Sequence, residues 1–114
     1  MGSFVYAGLI SPPNESTLRQ IHILFEWEQE PNAVSYNLQV SNNQSFSDNI
    51  IDIEEVKTIY IDLENINWSN DYYWRVRPIY NNENYGSWID TLYFSTIVIL
   101  SSFLFYTGWA ERNA

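Results

Sequence analysis

Arg75 and Arg77 stand two residues apart in the run Tyr72-Tyr73-Trp74-Arg75-Val76-Arg77. Side chains alternate across a strand, so this spacing puts both guanidiniums on one face, with Tyr73 beside them. The same reasoning brings Asn37, Gln39 and Trp88 to that face from neighbouring segments. Six residues, Asn37, Gln39, Tyr73, Arg75, Arg77 and Trp88, are therefore the candidate binding face. Planar guanidiniums stack on aromatic rings, with about 0.5–2 kcal/mol per pair depending on desolvation. Two readings stay open for this face: an internal Trp–Arg stack that stiffens a sheet, and a surface that engages a ligand or partner.

Other chemistry is thinly represented. The sole histidine, His22, falls on the outward phase of a strand, with no Ser or Asp partner indicated for nucleophilic work. Asp48, Asp52, Glu54 and Glu55 form the densest acidic cluster, but their spacing lacks the Asp-x-Asp-x-Asp-Gly pattern of a calcium loop. A solvated edge is the expectation there. No carboxylate pair stands out as a glycosidase dyad, and the four glycines form no phosphate-cradling loop. Tyr60, Trp68, Tyr73, Tyr80, Tyr85 and Trp88 could stack on sugar rings if they were coplanar. The sequence thus offers no catalytic, metal or cofactor residues, and the expectation is a protein that is not an enzyme and carries no cofactor.

The elements that position these residues are strands. Ile21, Ile23, Phe25 and Trp27 alternate with His22, Leu24, Glu26 and Glu28. Tyr36, Leu38 and Val40 alternate with Asn37, Gln39 and Ser41. Ile59, Ile61 and Leu63 alternate with Tyr60 and Asp62, and Tyr72, Trp74 and Val76 with the arginines. Period-2 alternation marks strands with one buried face. Gly8 to Asn14 reads as an edge strand ended by Pro12-Pro13, Ile50 to Ile53 as a short strand after the apolar anchor Phe46, and Trp88 to Thr96 as the last strand. Glu30-Pro31-Asn32 and Asn81 to Gly86 are turn signals. The expected inward set is Ile23, Phe25, Trp27, Tyr36, Leu38, Val40, Ile59, Ile61, Leu63, Tyr72, Trp74, Val76 and Phe94.

The totals agree with one all-β domain. A chain of 114 residues, 46% hydrophobic and 18% aromatic, can bury a core without staples, and large flat rings suit pleated surfaces. The net charge of −9 repels phosphate backbones and anionic membranes, so nucleic acid is not an expected partner. Absence of cysteine removes disulfides and thiol chemistry. Met1-Gly2-Ser3-Phe4 does not open a secretory signal, which leaves either no export by that route or a piece of a longer protein. Asn14-Glu15-Ser16, Asn43-Gln44-Ser45 and Asn67-Trp68-Ser69 fit the N-glycosylation pattern, a match expected by chance in so Asn-rich a chain.

Several of these segments resemble a fibronectin type III domain. Phe25-Glu26-Trp27 resembles the second-strand segment that places that family's core Trp, and Ala33 to Ser41 its third strand. Ile66 precedes Tyr72 by six residues, as the family's apolar residue precedes its tyrosine-corner Tyr. Tyr72 to Arg77, Gly86-Ser87-Trp88 and Tyr93-Phe94-Ser95-Thr96 resemble its sixth strand, last strand and closing segment. The turn Asn67-Trp68-Ser69-Asn70 lacks the usual Pro and Gly, and there is no Arg-Gly-Asp sequence. The resemblance covers residues 8–96 and implies a seven-stranded antiparallel β-sandwich, flanked by a leader or linker (1–7) and an apolar C-terminal extension (97–114). It also implies a non-catalytic interaction or spacer module of a larger extracellular or cell-surface protein, with a protein partner or neighbouring domains. The alternative is a carbohydrate-binding sandwich appended to an enzyme. From Thr91 to Ala110 there is no charge, about the length a membrane helix needs. Thr91 to Thr96 read as strand, however, and what is left is too short to cross. The extension reads as an extra strand, a docked segment or the start of a following region, with a membrane anchor as the lesser alternative.

Overall fold

Ile23, Phe25 and Trp27 are buried while Leu24 is exposed, so the alternation of this segment is realised as strand β3 (Ile23–Trp27). The computed structural model describes residues 8–99, with nine strands among them. The others are β1 (Leu9–Ser11), β2 (Ser16–Leu18), β4 (Ser35–Ser41), β5 (Asn49–Glu55), β6 (Ile59–Asp62), β7 (Asp71–Tyr80), β8 (Asn84–Tyr85) and β9 (Thr91–Thr96). They form a three-stranded sheet, β1-β3-β6, and a larger sheet, β2-β9-β7-β4-β5, with β8 attached to β7. The seven predicted strands become nine in two ways. Pro12 and Pro13, which cannot donate to a ladder, end the first strand as expected, but beyond them β2 forms on the larger sheet, and the Asn81–Tyr85 loop adds the two-residue β8. The last strand begins at Thr91 rather than Trp88. The β2–β9 pairing is parallel, Ser16 opposite Phe94, whereas the remaining pairs are antiparallel as expected.

The two sheets close on an aromatic core. Phe25 meets Trp74 edge-on at 5.3 Å, and Tyr72 stacks on Phe94 at 5.3 Å. Trp27 packs against Tyr36 at 5.8 Å. Leu38, Val40, Ile51, Ile66 and Val76 fill the space between them. The Trp74 indole N–H donates to the Pro12 carbonyl at 3.2 Å, tying the end of β1 to the core. The Asn67 N–H donates to the Tyr72 hydroxyl at 2.7 Å, and that hydroxyl donates to the Asn67 carbonyl at 3.4 Å. This is the expected tyrosine corner. It forms without Pro or Gly because Ser69 adopts φ 58° and turns the chain there.

One strand is reversed from the expected phase. Ile59, Ile61 and Leu63, placed inward by their hydrophobicity, are exposed, Ile61 at 57% and Leu63 at 62%. The register of β3 with β6 decides this: Phe25 lies opposite Tyr60 and Ile23 opposite Asp62, so Tyr60 and Asp62 must share the inward phase. Asp62, 1% exposed, is satisfied locally, its carboxylate accepting from the N–H of Asn65 (2.8 Å), the N–H of Ile66 (3.2 Å) and the Asn65 side-chain amide (2.7 Å). Of the C-terminal extension, Ile97–Ile99 are exposed and in no strand, and residues 100–114, like the leader 1–7, lie outside the described residues. Among the described residues no helix is long and apolar enough to cross a membrane.

Candidate functional site

The central strands of the larger sheet, β4 and β7, bring the predicted face together by register. Asn37 lies opposite Arg77, Gln39 opposite Arg75, and Ser41 opposite Tyr73. On the other side of β4, Gln39 lies opposite Asp52 of β5. The polar side chains then bond in a row. Arg75 donates through Nε and Nη2 to Gln39 Oε1 at 3.0 and 2.8 Å. Arg77 donates through Nε to Asn37 Oδ1 at 2.9 Å. The amides of Asn37 and Gln39 in turn donate to Asp52, at 2.9 and 3.2 Å. Amides carry a donor and an acceptor, so each transmits the Asp52 charge toward an arginine. Asn37 and Gln39 were expected to be exposed. They are buried, because the guanidiniums and Asp52 cover them.

Rings stack on the guanidiniums from outside the ladder. Arg75 lies 3.9 Å from the Phe46 centroid and 3.9 Å from that of Trp88; Arg77 lies 3.9 Å from Tyr85 and 4.4 Å from Trp88. Phe46, Arg75, Trp88, Arg77 and Tyr85 thus form an alternating series of rings and cations, with Trp88 shared. Such contacts gain strength as the cation is desolvated. Burial also holds Arg75 below the ordinary guanidinium pKa; neighbouring Arg77 pushes the same way and Asp52 opposes.

Local structure aims each ring. Trp88 is carried not by a strand but by the connection between β8 and β9. That connection is pinned to β7 by the Gly86 N–H to the Pro78 carbonyl and the Ile89 N–H to the Val76 carbonyl, both 2.8 Å. A Cβ at Gly86 would fall 2.7 Å from Pro78 Cγ and 2.9 Å from the Tyr80 ring, so only glycine permits this approach. Phe46 takes φ 55°, a left-handed conformation uncommon for a bulky residue. Its loop is organised by Asn43 Oδ1, which accepts from the Ser45 and Ser47 hydroxyls and the Ser47 N–H. Phe46, Tyr85 and Asp52 are members of the site that the six-residue prediction did not contain. Phe46 was visible only as an isolated apolar residue between turns, and pairing register, absent from the sequence, is what joins it to Arg75.

Tyr73 stands apart from the stack. It lies opposite Tyr93 of β9, with ring centroids 5.2 Å apart and planes at 48°. A groove of about 560 Å³ runs past the other end of the face, lined by Glu30, Tyr80, Trp88 and Asp90 among others. Within the acidic cluster, Glu54 accepts from the Ser35 hydroxyl at 2.7 Å and Glu55 pairs with Lys57 at 2.9 Å. The Lys57 contact holds the Glu55 carboxyl below its ordinary pKa. Among the described residues no group of three or more His, Asp or Glu is placed to hold a metal ion. His22 is exposed in the bend just before β3 rather than on the strand itself. Chemically, the face is a clamp that locks two arginines in place by charge-assisted hydrogen bonds and ring stacking.

No family model and no curated protein sequence matches this chain. Among solved structures it is similar to a Fn3-like protein from Clostridium thermocellum, with a TM-score of 0.58 and 18% sequence identity, over 75% of this chain and 90% of that one. With its two sheets, its tyrosine corner and that likeness, the chain has a fibronectin type III-like fold.

Proposed function

We propose that this domain is a non-catalytic interaction or spacer module of a larger extracellular or cell-surface protein, contacting a protein partner or a neighbouring domain. The fold is a modular one, and the arginine face is engaged within the chain, which suits a stiff scaffold. The observation that carries the contact reading is the outer face of the smaller sheet. Leu24 lies directly opposite Ile61, with Ile59 on the same strand face and Ile10 on β1, and all four are exposed. Large apolar side chains gathered on one strand face are the material of protein–protein contacts. Glu26, opposite Ile59, lies among them, and no Lys or Arg is carried by β1, β3 or β6. The partner surface that fits is apolar with a basic border.

Residue-level footprinting tests this reading on the domain alone and within its full-length gene product. Several-fold lower labelling of Leu24 and Ile61 in the full-length protein is expected, and equal labelling in both would overturn the contact. A carbohydrate platform is less well supported, because Trp88 and Tyr85 already lie over guanidiniums and the Tyr73 and Tyr93 planes are tilted.

A further inference from the structure

The arginine face continues along β7 beyond the stack. Alternation carries it from Arg77 and Arg75 to Tyr73 and then Asp71. Here the described residues offer rings and carboxylates but no cation. The Tyr93 hydroxyl donates to Asp71 Oδ1 at 2.8 Å, fixing the second ring beside Tyr73. The Tyr93 N–H donates to Asn14 Oδ1 at 3.0 Å, and its carbonyl accepts from the Glu15 N–H at 2.6 Å. The Asn14-Glu15 turn is thereby held against the rings, with Glu15 at φ 64°. Gln44 and Thr91 complete a groove of about 450 Å³, whose lining holds two carboxylates, Glu15 and Asp71, two phenol rings, and no Lys or Arg.

We propose that this groove binds the guanidinium of an arginine side chain presented by a protein or peptide partner. The domain fills its own ring slots at Phe46, Trp88 and Tyr85 with Arg75 and Arg77, and the Tyr73–Tyr93 end has the same kind of surface without an occupant among the described residues. A planar guanidinium suits it twice over: its face stacks on a phenol ring, and its edge donates to carboxylate oxygens. The chain's charge of −9 draws such a group in. The groove lies on the larger sheet and the apolar face on the smaller, so this inference goes beyond the contact reading and stands or falls separately.

Titrating the intact chain with an arginine-containing pentapeptide (Gly-Gly-Arg-Gly-Gly) and its citrulline counterpart, followed by NMR, tests this. Citrulline keeps the shape and removes the charge. The expected result is shifts centred on Tyr73, Tyr93 and Asp71, with clear preference for arginine. Tyr73→Leu should weaken binding about 3- to 30-fold, Tyr73→Phe, which keeps the ring, should retain it, and Asp71→Asn should weaken it in a salt-dependent way. Shifts spread over the acidic surface, equal binding of the citrulline peptide, or affinity unchanged in both Tyr73→Leu and Asp71→Asn would overturn the proposal. So would a glucose oligosaccharide that shifts the same tyrosines while the arginine peptide does not.

Discussion

The Arg75 guanidinium sits 3.9 Å from the centre of the Trp88 ring, although one residue belongs to a central strand and the other to a connection between strands. Because Trp88 also serves Arg77, it holds the β8–β9 connection on the sheet as well as stiffening the face. Trp88→Leu should lower stability by about 1–3 kcal/mol in chemical denaturation. A double-mutant cycle with Arg75→Met should return a coupling of about 0.5–2 kcal/mol. Coupling near zero would show that the stack adds nothing to the fold.

The inverted phase of β6 makes a comparison with an unusual direction. Ile61→Ala, on the exposed face, should cost under about 1 kcal/mol. Asp62→Ala, two of whose lost partners are backbone N–H groups, should cost about 2–4 kcal/mol. Urea midpoints of the two variants check this, and the reverse order would place Ile61 in the core.

The two deepest indoles differ in one bond. The Trp74 N–H donates to Pro12, whereas the Trp27 N–H is buried without a partner among the described residues. Replacement by Phe removes similar volume from each, but only Trp74→Phe leaves a carbonyl unpaired. It should therefore cost about 1–2 kcal/mol more than Trp27→Phe. Thermal unfolding of both variants measures the difference.

At high pH two tyrosines matter. The hydrogen bond to Asp71, aided by burial, raises the Tyr93 pKa; burial, with Asp62, Glu64 and Glu55 nearby, raises that of Tyr60. Unfolded phenols ionise near pH 10. Above that the unfolded chain releases these protons first, so the associated stability is whole below about pH 10 and is lost as pH rises through the folded values. In a tyrosine-labelled NMR titration Asp71→Ala should move Tyr93 back toward its ordinary value and leave Tyr60 in place.

Much of the fold was legible in the sequence because β3, β4 and β7 each gather three large apolar side chains on one phase. Ile23-Phe25-Trp27, Tyr36-Leu38-Val40 and Tyr72-Trp74-Val76 could face only inward, and Ile66 with Tyr72 announced the corner. In β6 hydrophobicity pointed the wrong way. A side chain's own transfer energy cannot outvote a ladder in which a slip by one residue would turn every neighbour over.

The candidate face divides along the same line. Alternation within one strand put Tyr73, Arg75 and Arg77 on one side, and that needed nothing beyond the chain's own pleat. Which residues meet those three is decided by segments far apart in sequence. Phe46, Tyr85 and Trp88 reach the arginines, Asp52 reaches the amides that hold them, and Tyr93 reaches Tyr73, through strand pairing and the Gly86 connection. Local periodicity fixes the direction in which a side chain points, but its partner depends on the register between strands. Only packing of the whole core selects that register, and with it which rings already hold a cation and which remain open.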